Sequence, residues 1–453
     1  MLMQLNEINT IVGGELRGSN VPINKVSIDT RTLQPGDLYL AIKGPNFDGN
    51  DFVAQAEAAG AAAVLLGQNA NSVVPKIVVK DTHLALAELA KAVRQKSALP
   101  LCGITGSNGK TTVKEMIAAI LAVNAETLST QGNFNNDIGV PLTLLRLHQR
   151  HQYAVVEMGA NHSGEIGYTG QIAQPDVAVI TNVGEAHIEG FGDLAGVAKA
   201  KSELIQSLGE KGIAVLNADD DFFEFWQGIA GKRKVISFGL SDKADISATE
   251  INSRIENNQF ITEFTLMTTD DAMAMQISLA GKHNVVNALA AAAACQAMGV
   301  GLQQIQQGLD KIKPVTGRLE PLLGSKGNII INDSYNANPS SLQVALDVLQ
   351  LCAGEPWVIL GEFGELGAES KKIHRELGGL IKSRDVVRLL AVGSDAESTT
   401  DTFGKGAFFF QSQSALIDTL LNEITGKETL LIKGSRVQQM EKVTEALLTE
   451  RRM

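Results

Sequence analysis

Short, uninterrupted apolar runs recur along most of this chain, each ending in small or polar residues and each followed by a helical stretch. From Leu101 they read "LCGIT", "YAVVEMG", "DVAVITNVG" and "IAVLNADD"; beyond residue 314 they read "NIIINDSY", "PWVILGEFGELG", "VVRLLAVGS" and "ETLLIKGSR". A strand apolar on both faces must be covered on both faces, so this alternation predicts an α/β fold of parallel sheets clad in helices. Ligands of such sheets gather at the carboxyl ends of the strands. At 453 residues the chain exceeds one core and suggests about three domains. Pro100 closes a helical stretch, "THLALAELAKAVRQKSALP", and Pro314 and Gly317 interrupt "KIKPVTGRLE", which gives units 1–98, 99–314 and 315–453. Residues 52 to 63 read as an Ala-rich helix, and Thr, Ile and Phe alternating over 244–280 read as an antiparallel excursion.

Composition removes several function classes. A net charge of -11 argues against a broad nucleic-acid interface, which needs clustered Lys and Arg to release counterions. Cys102, Cys295 and Cys352 are far apart, without CxxC spacing, and read as buried thiols in a reducing compartment. The start "MLMQLNEINT" has no basic segment before an apolar one, so it is not read as a secretory signal. The Ala-rich run "VVNALAAAAACQAMGVG" is broken by Asn287 and Gln296, which favours a buried helix over a membrane span. The expected location is the cytoplasm.

The chemistry starts at "GITGSNGKTT", between the strand "LCGIT" and a helix with apolar residues at Val113, Met116, Ile117, Ile120 and Leu121. In that context loop amides and the helix N-terminus converge on an anion, the arrangement of an ATP phosphate loop. Thr105, Gly106, Ser107, Asn108 and Gly109 form the cradle, Lys110 reaches the terminal phosphates, and Thr111, followed by Thr112, offers a hydroxyl to magnesium. The usual first Gly of the pattern is replaced by Ile104. Glu157, ending "YAVVE", would deliver a carboxylate beside the loop as a second magnesium ligand. His187 follows the strand "VAVIT" in a Gly-rich loop, and Lys201 in "VAKAKSELI" reads, on residues alone, as a surface helical lysine. Asn284 and Asn287 share a helix face; they could read adenine edges or, for Asn284, cap the helix. Asp333 ends a strand before a polar turn, Ser334 to Ser341, suited to binding an anion or amine. Arg318 and Lys433 fall near element ends, where phosphate and carboxylate ligands collect.

Taken in order, "TGSNGKTT", "EMGANHSGEI", "TNVGEAHIEGFG", "AKAKSELI", "GKHNVVNALAA", "GRLE", "DSYNANPSS" and "LIKGSR" resemble the Mur ligase family of ATP-dependent amide-forming enzymes over essentially the whole chain. The family's loop has the form "TGxNGKT", which accounts for Ile104. "TGSNGKT" is shared with folylpolyglutamate synthases, whereas "DSYNANPSS" with "EMGANHSGEI" points to the branch that adds D-alanyl-D-alanine to a UDP-MurNAc-tripeptide. The resemblance implies an N-terminal UDP-substrate domain, a central phosphate-loop domain and a C-terminal Rossmann-like domain. It also implies that Lys201 is carbamylated by CO2 and holds a second magnesium with His187. It assigns Ile28, Thr30, Pro45, Asn46 and Phe47 to the nucleotide-sugar pocket, with Asn50 where the family has His, and Asn135 and Asn136 to a substrate loop. Arg318 and Asp333 would contact ATP from the third domain, and Tyr335, Asn336, Asn338 and Lys433 the dipeptide side. The "DNPR" of the branch that reads a free diamino acid is absent. The expected enzyme is a monomer without nucleic-acid or membrane partners, closing about the Pro100 and Pro314 linkers on ATP, tripeptide and dipeptide. A P-loop switch acting on a protein partner is the reading from another class; the charged partner-facing surface or coiled coil it would need is missing.

Overall fold

The computed structural model describes residues 3–44, 46–68, 70–184 and 188–448. Three α/β units follow one another. In the first, strands Val26–Ser27, Leu38–Leu40, Ala63–Leu66 and Lys76–Val78 are parallel neighbours, and Glu15–Arg17 closes the edge antiparallel. The helix expected over 52–63 is shorter, Val53–Ala58. Gly60 takes φ +94° and ends it, because the fully apolar "AVLL" that follows is claimed by the central strand Ala63–Leu66.

The second unit carries six parallel strands, ordered Lys234–Phe238, Ile213–Asn217, Val177–Ile180, Leu101–Thr105, Tyr153–Glu157 and Thr127–Ser129. Leu101–Thr105 is the strand at which the order reverses, so a crevice opens at its carboxyl end. The excursion is a three-stranded antiparallel sheet, Ser247–Glu256, Gln259–Met267 and Ala272–Ile277. The Ala-rich run becomes helix Gly281–Ala297, buried along most of its length. No helix among the described residues is long and apolar enough to cross a membrane. Cys102 and Cys295 are buried free thiols and Cys352 a half-buried one.

The third unit pairs Glu320–Leu323 antiparallel to Ile329–Asp333 and continues in parallel through Glu428–Lys433, Glu355–Gly361, Arg388–Val392 and Ala407–Phe410. It has its own cores, one around Leu346, Val358 and Leu389 that also takes in Phe260 and Ala280 of the central unit, the other around Ile359 and Met440.

The first two units are joined differently. One hydrophobic core runs without a break from Met3, Leu86 and Leu89 to Val156, Ile180 and Leu216. Arg94, on helix Thr82–Gln95, is buried. Its guanidinium donates to Ser97 O and Leu99 O of the linker and to Ala173 O, Gln174 O and Asp176 Oδ2 of the central unit, at 2.8 to 3.2 Å. A buried cation with five partners pins the linker, so the hinge expected at Pro100 is a fixed joint. The linker near Pro314 borders an open cleft of about 630 Å³ lined by Phe260, Ile312, Pro314 and Pro321.

Candidate active site

The loop from Thr105 to Lys110 bridges strand Leu101–Thr105 and helix Lys110–Leu121. Gly106 takes φ +154°, and a Cβ there would lie 1.8 Å from Thr181 Oγ1. Gly109 takes φ +82°, and its Cβ would meet Asn287 Oδ1 at 2.4 Å. Both conformations are ones L side chains avoid, so the loop requires these glycines; Ile104 is fully buried inside the strand and requires none. The next strand's end holds the loop down. Ser107 N donates to Asn182 O and Asn108 N to Asn182 Oδ1, while Thr181 Oγ1 donates to Asn108 O at 2.6 Å. Ser107 also exchanges two hydrogen bonds with Gly184 through its hydroxyl. The amides of the helix's first turn have no partners within the helix and form the anion-binding end.

Lys110 Nζ donates to Gly106 O at 2.6 Å and Ser107 O at 3.4 Å. Desolvation lowers its pKa, opposed by Glu157 and reinforced by Arg318. Glu157 is 2% exposed. Its Oε1 accepts from Asn135 Nδ2 at 2.8 Å, whereas Oε2 is buried with no partner, as is Thr105 Oγ1. An orphaned carboxylate oxygen in a buried site is costly and is the donor a divalent cation takes. With the Thr111 hydroxyl at the start of helix Lys110–Leu121, the residues present fit magnesium.

Lys201 is 7% exposed, which corrects the surface reading; helix Leu194–Gln206 turns it inward. Burial, then the Lys110 charge, hold its pKa well below the ordinary lysine range, with Asp220 opposing. Asp220, which the motif reading passed over, is itself raised by burial and donates nothing; its carboxylate accepts from Val183 N and Phe222 N. His187 and Pro45 lie outside the described residues.

Asn284 and Asn287 are buried, with their amides committed inward. Asn284 Nδ2 donates to Ala280 O and Asn287 Nδ2 to Asn284 Oδ1, and Ala280, not Asn284, is the N-cap. The pair thus stands behind Gly109, whose Cβ would meet Asn287 Oδ1. His283, between them and Gly281, was not singled out; desolvation pushes it down to about 4, with Asp333 opposing, so it is neutral at ordinary pH. Its only sequence signal is its place in "GKHN".

The third unit reaches the loop directly. Arg318 Nη2 donates to Thr111 Oγ1 at 3.3 Å, and its guanidinium lies 4.4 Å over the Tyr335 ring. Arg436 approaches the same ring at 5.7 Å. Asp333 pairs with the buried Lys433 at 2.5 Å and accepts from Leu319 N; Lys433 also donates to Asn336 O. Both therefore brace the turn instead of facing outward. Asn338 caps helix Pro339–Leu349 and donates through Nδ2 to Asn108 Oδ1. Asn336 is exposed beside it.

On the opposite flank, Asn136 is exposed and its Oδ1 accepts from Gly139 N at the start of helix Gly139–Leu144, while Asn135 turns to Glu157. Asp137 in the same loop approaches His83 at 4.0 Å, and His83 bonds Lys43 O, which ties this loop to the first unit beside Asn46 and Phe47. Phe47 is 61% exposed; Ile28 and Thr30 are half-buried. Asn50 Nδ2 bonds Asp48, leaving its buried Oδ1 unpartnered.

Among the described residues, Glu126, His148 and His151 bring three ligand atoms within 4.8 Å, at the far, amino-terminal end of the sheet. His151 Nδ1 accepts from His148 N, which puts the neutral ring's proton on Nε2, facing Glu126. Glu126 and His148 are exposed, and Glu126 lies 3.3 Å from His148 Nε2.

Glycine-shaped loop, buried carboxylate and a facing domain together define a phosphate-loop enzyme whose site is completed by another α/β unit. The chain belongs to the Mur ligase family. Family models match in chain order: the Mur ligase family catalytic domain at residues 22–94, the Mur ligase middle domain at 104–295 and the Mur ligase glutamate ligase domain at 317–436. It is similar to the UDP-N-acetylmuramoyl-tripeptide--D-alanyl-D-alanine ligase of Escherichia coli, with 43% identity covering 98% of each chain. The Bacillus subtilis protein of that name is 34% identical over 94% of this chain and 93% of its own. A crystal structure of MurF from Acinetobacter baumannii matches with TM-score 0.93 at 36% identity, covering 99% of each chain. MurF ligase from Thermotoga maritima in complex with ADP matches with TM-score 0.83 at 27% identity, covering 94% of this chain and 97% of that one.

Proposed function

We propose that this chain is the ATP-dependent ligase that joins D-alanyl-D-alanine to UDP-N-acetylmuramoyl-tripeptide in peptidoglycan precursor synthesis. The observation that carries it is the convergence, at one strand end, of the phosphate loop, Glu157 and the Arg318 and Asn338 contacts from the third unit, in a chain alike to such ligases along nearly its full length. An oxygen of the tripeptide's terminal carboxylate attacks the γ-phosphorus of ATP, ADP leaves, and an acyl phosphate forms. The dipeptide amine, having lost a proton, attacks the acyl carbon; the C–O bond to phosphate breaks and the amide remains. The loop amides and Lys110 hold the phosphates, and the Arg318 charge opposes the repulsion between two anions.

Magnesium would be held by Thr111, Glu157 and Lys201 as its carbamate, with His187; it offsets phosphate charge. One feature supports the carbamate: Lys201 is buried, and that burial, with the Lys110 charge, favours the neutral amine, the form that adds CO2. Asn46, Phe47, Ile28 and Thr30, with Pro45, line the uridine side, Asn135 the peptide, and the Tyr335–Asn338 turn the acceptor. Asp333 and Lys433 set that turn from behind. The unit boundaries at 98/99 and 314/315, monomeric state and cytoplasmic location belong to the same reading. The test is ADP release with each substrate omitted in turn: release must need both UDP-tripeptide and dipeptide, and ATP turnover without them refutes a ligase.

A further inference from the structure

We propose that Asn108 and Ser340 are positioning residues: with Asn338 they form a latch that couples closure of the third unit to the state of the phosphate loop. This deepens the ligase reading and rests on it for the identity of the acceptor. Both polar atoms of the Asn108 side chain are spent across the domain boundary. Its Nδ2 donates to Ser340 Oγ at 3.1 Å, Ser340 Oγ donates to Asn338 Oδ1 at 2.9 Å, and Asn338 Nδ2 donates back to Asn108 Oδ1 at 3.0 Å. The three side chains close a hydrogen-bonded ring between residues 230 positions apart in sequence.

The ring has one sense. Ser341 N donates to Asn338 Oδ1 at 2.8 Å, which fixes the Asn338 amide, and an inverted Asn108 amide would set donor against donor. Each side is anchored in its own unit. Asn108 is held through both backbone polar groups by Thr181 and Asn182, and Asn338 with Ser341 forms the capping box of helix Pro339–Leu349. Gly184 gives the ring room, since a Cβ there would lie 3.2 Å from both Asn108 Nδ2 and Ser340 Oγ. A phosphate loop set by nucleotide therefore presents Asn108 where the turn bearing the acceptor docks. By linkage, an acceptor that holds this turn closed tightens nucleotide by the same factor. Two neutral cross-domain hydrogen bonds set that factor at about tenfold.

The experiment measures affinity for the non-hydrolysable analogue AMP-PNP, with and without saturating D-alanyl-D-alanine, in wild type, Asn108→Ala, Ser340→Ala, the double variant and Ser340→Thr. Expected is about tenfold tighter AMP-PNP binding with dipeptide in wild type and Ser340→Thr, lost in both alanine variants. The double variant should lose no more than either single one. Affinity without dipeptide should be alike in wild type, Ser340→Ala and Ser340→Thr. Asn108→Ala weakening AMP-PNP equally with and without dipeptide would make the side chain a plain nucleotide contact and overturn the latch, as would additive losses. X-ray scattering on the same proteins with AMP-PNP alone separates the two readings. Compaction of wild type but not of Asn108→Ala, without any dipeptide effect, keeps the latch and removes the acceptor assignment; equal compaction in all removes the latch.

Discussion

Gly106→Ala is the sharpest probe of the phosphate loop. At φ +154° an alanine is strained by about 1–3 kcal/mol. Its Cβ would also fall 1.8 Å from Thr181 Oγ1, which must rotate and release the hydrogen bond to Asn108 O, a loss of about 1 kcal/mol. The loop can escape the whole penalty, about 3 kcal/mol, by leaving its present shape, so the global fold is spared and the binding-competent loop is depopulated. Apparent nucleotide affinity then falls about a hundredfold. Calorimetric titration with AMP-PNP, paired with thermal melting, reads both sides. Adding Thr181→Ala removes the clashing hydroxyl and should recover part of the affinity, whereas the backbone strain persists. Affinity within threefold of wild type, or a fall in melting temperature large enough to account for the loss, would refute the reasoning.

Glu157→Gln keeps the bond from Asn135 and removes the charge of the unpartnered oxygen; kcat should fall about a hundredfold with melting of the free protein unchanged or raised, and a retained rate would remove Glu157 from the metal site. Lys201→Ala should lose most activity and regain part of it with short carboxylates, while Lys201→Arg, which cannot form a carbamate, should regain none; unchanged activity in Lys201→Ala would end the carbamate claim. His283 is depressed to about 4 in the folded state against about 6.5 unfolded, so the unfolded chain takes up its proton first as pH falls. Its contribution to stability is full above about pH 6.5 and lost as pH falls towards 4. His374, also lowered by burial, acts in the same sense, so His283→Gln should flatten the pH dependence of melting only in part; an unaltered slope would count against a neutral His283 in the folded protein.

The sheets were legible because continuous apolar runs leave few architectures open, and the loop because strand, glycines and Lys-Thr-Thr occur in one stretch of chain. What escaped depends on which way a side chain faces once packed. Lys201 reads as a surface lysine by helical spacing, yet a neighbouring wall covers it. The inward bonds of Asn284 and Asn287, to Ala280 O and to each other, follow from how their helix packs, which spacing alone does not reveal. Ser340 and Arg436 lay inside quoted motifs without being singled out, and Asp220 carried no local signal, since their contacts are with partners distant in sequence. Pro100 suggested a pivot, and Arg94 and a shared core override what a proline between elements suggests.

That welded joint has a kinetic consequence. Three reactants carried on three independently moving domains would have to meet in a three-body encounter. On the proposed assignment of the uridine to the first unit and the acceptor to the third, that joint would carry the uridine side and the phosphate loop together, so that the carboxylate and the γ-phosphorus would be aligned before anything closes. Only the amine's carrier would then have to arrive, assembly of the reacting complex would be a two-body docking, and the orientational entropy left to lose at each turnover would be that of a single joint.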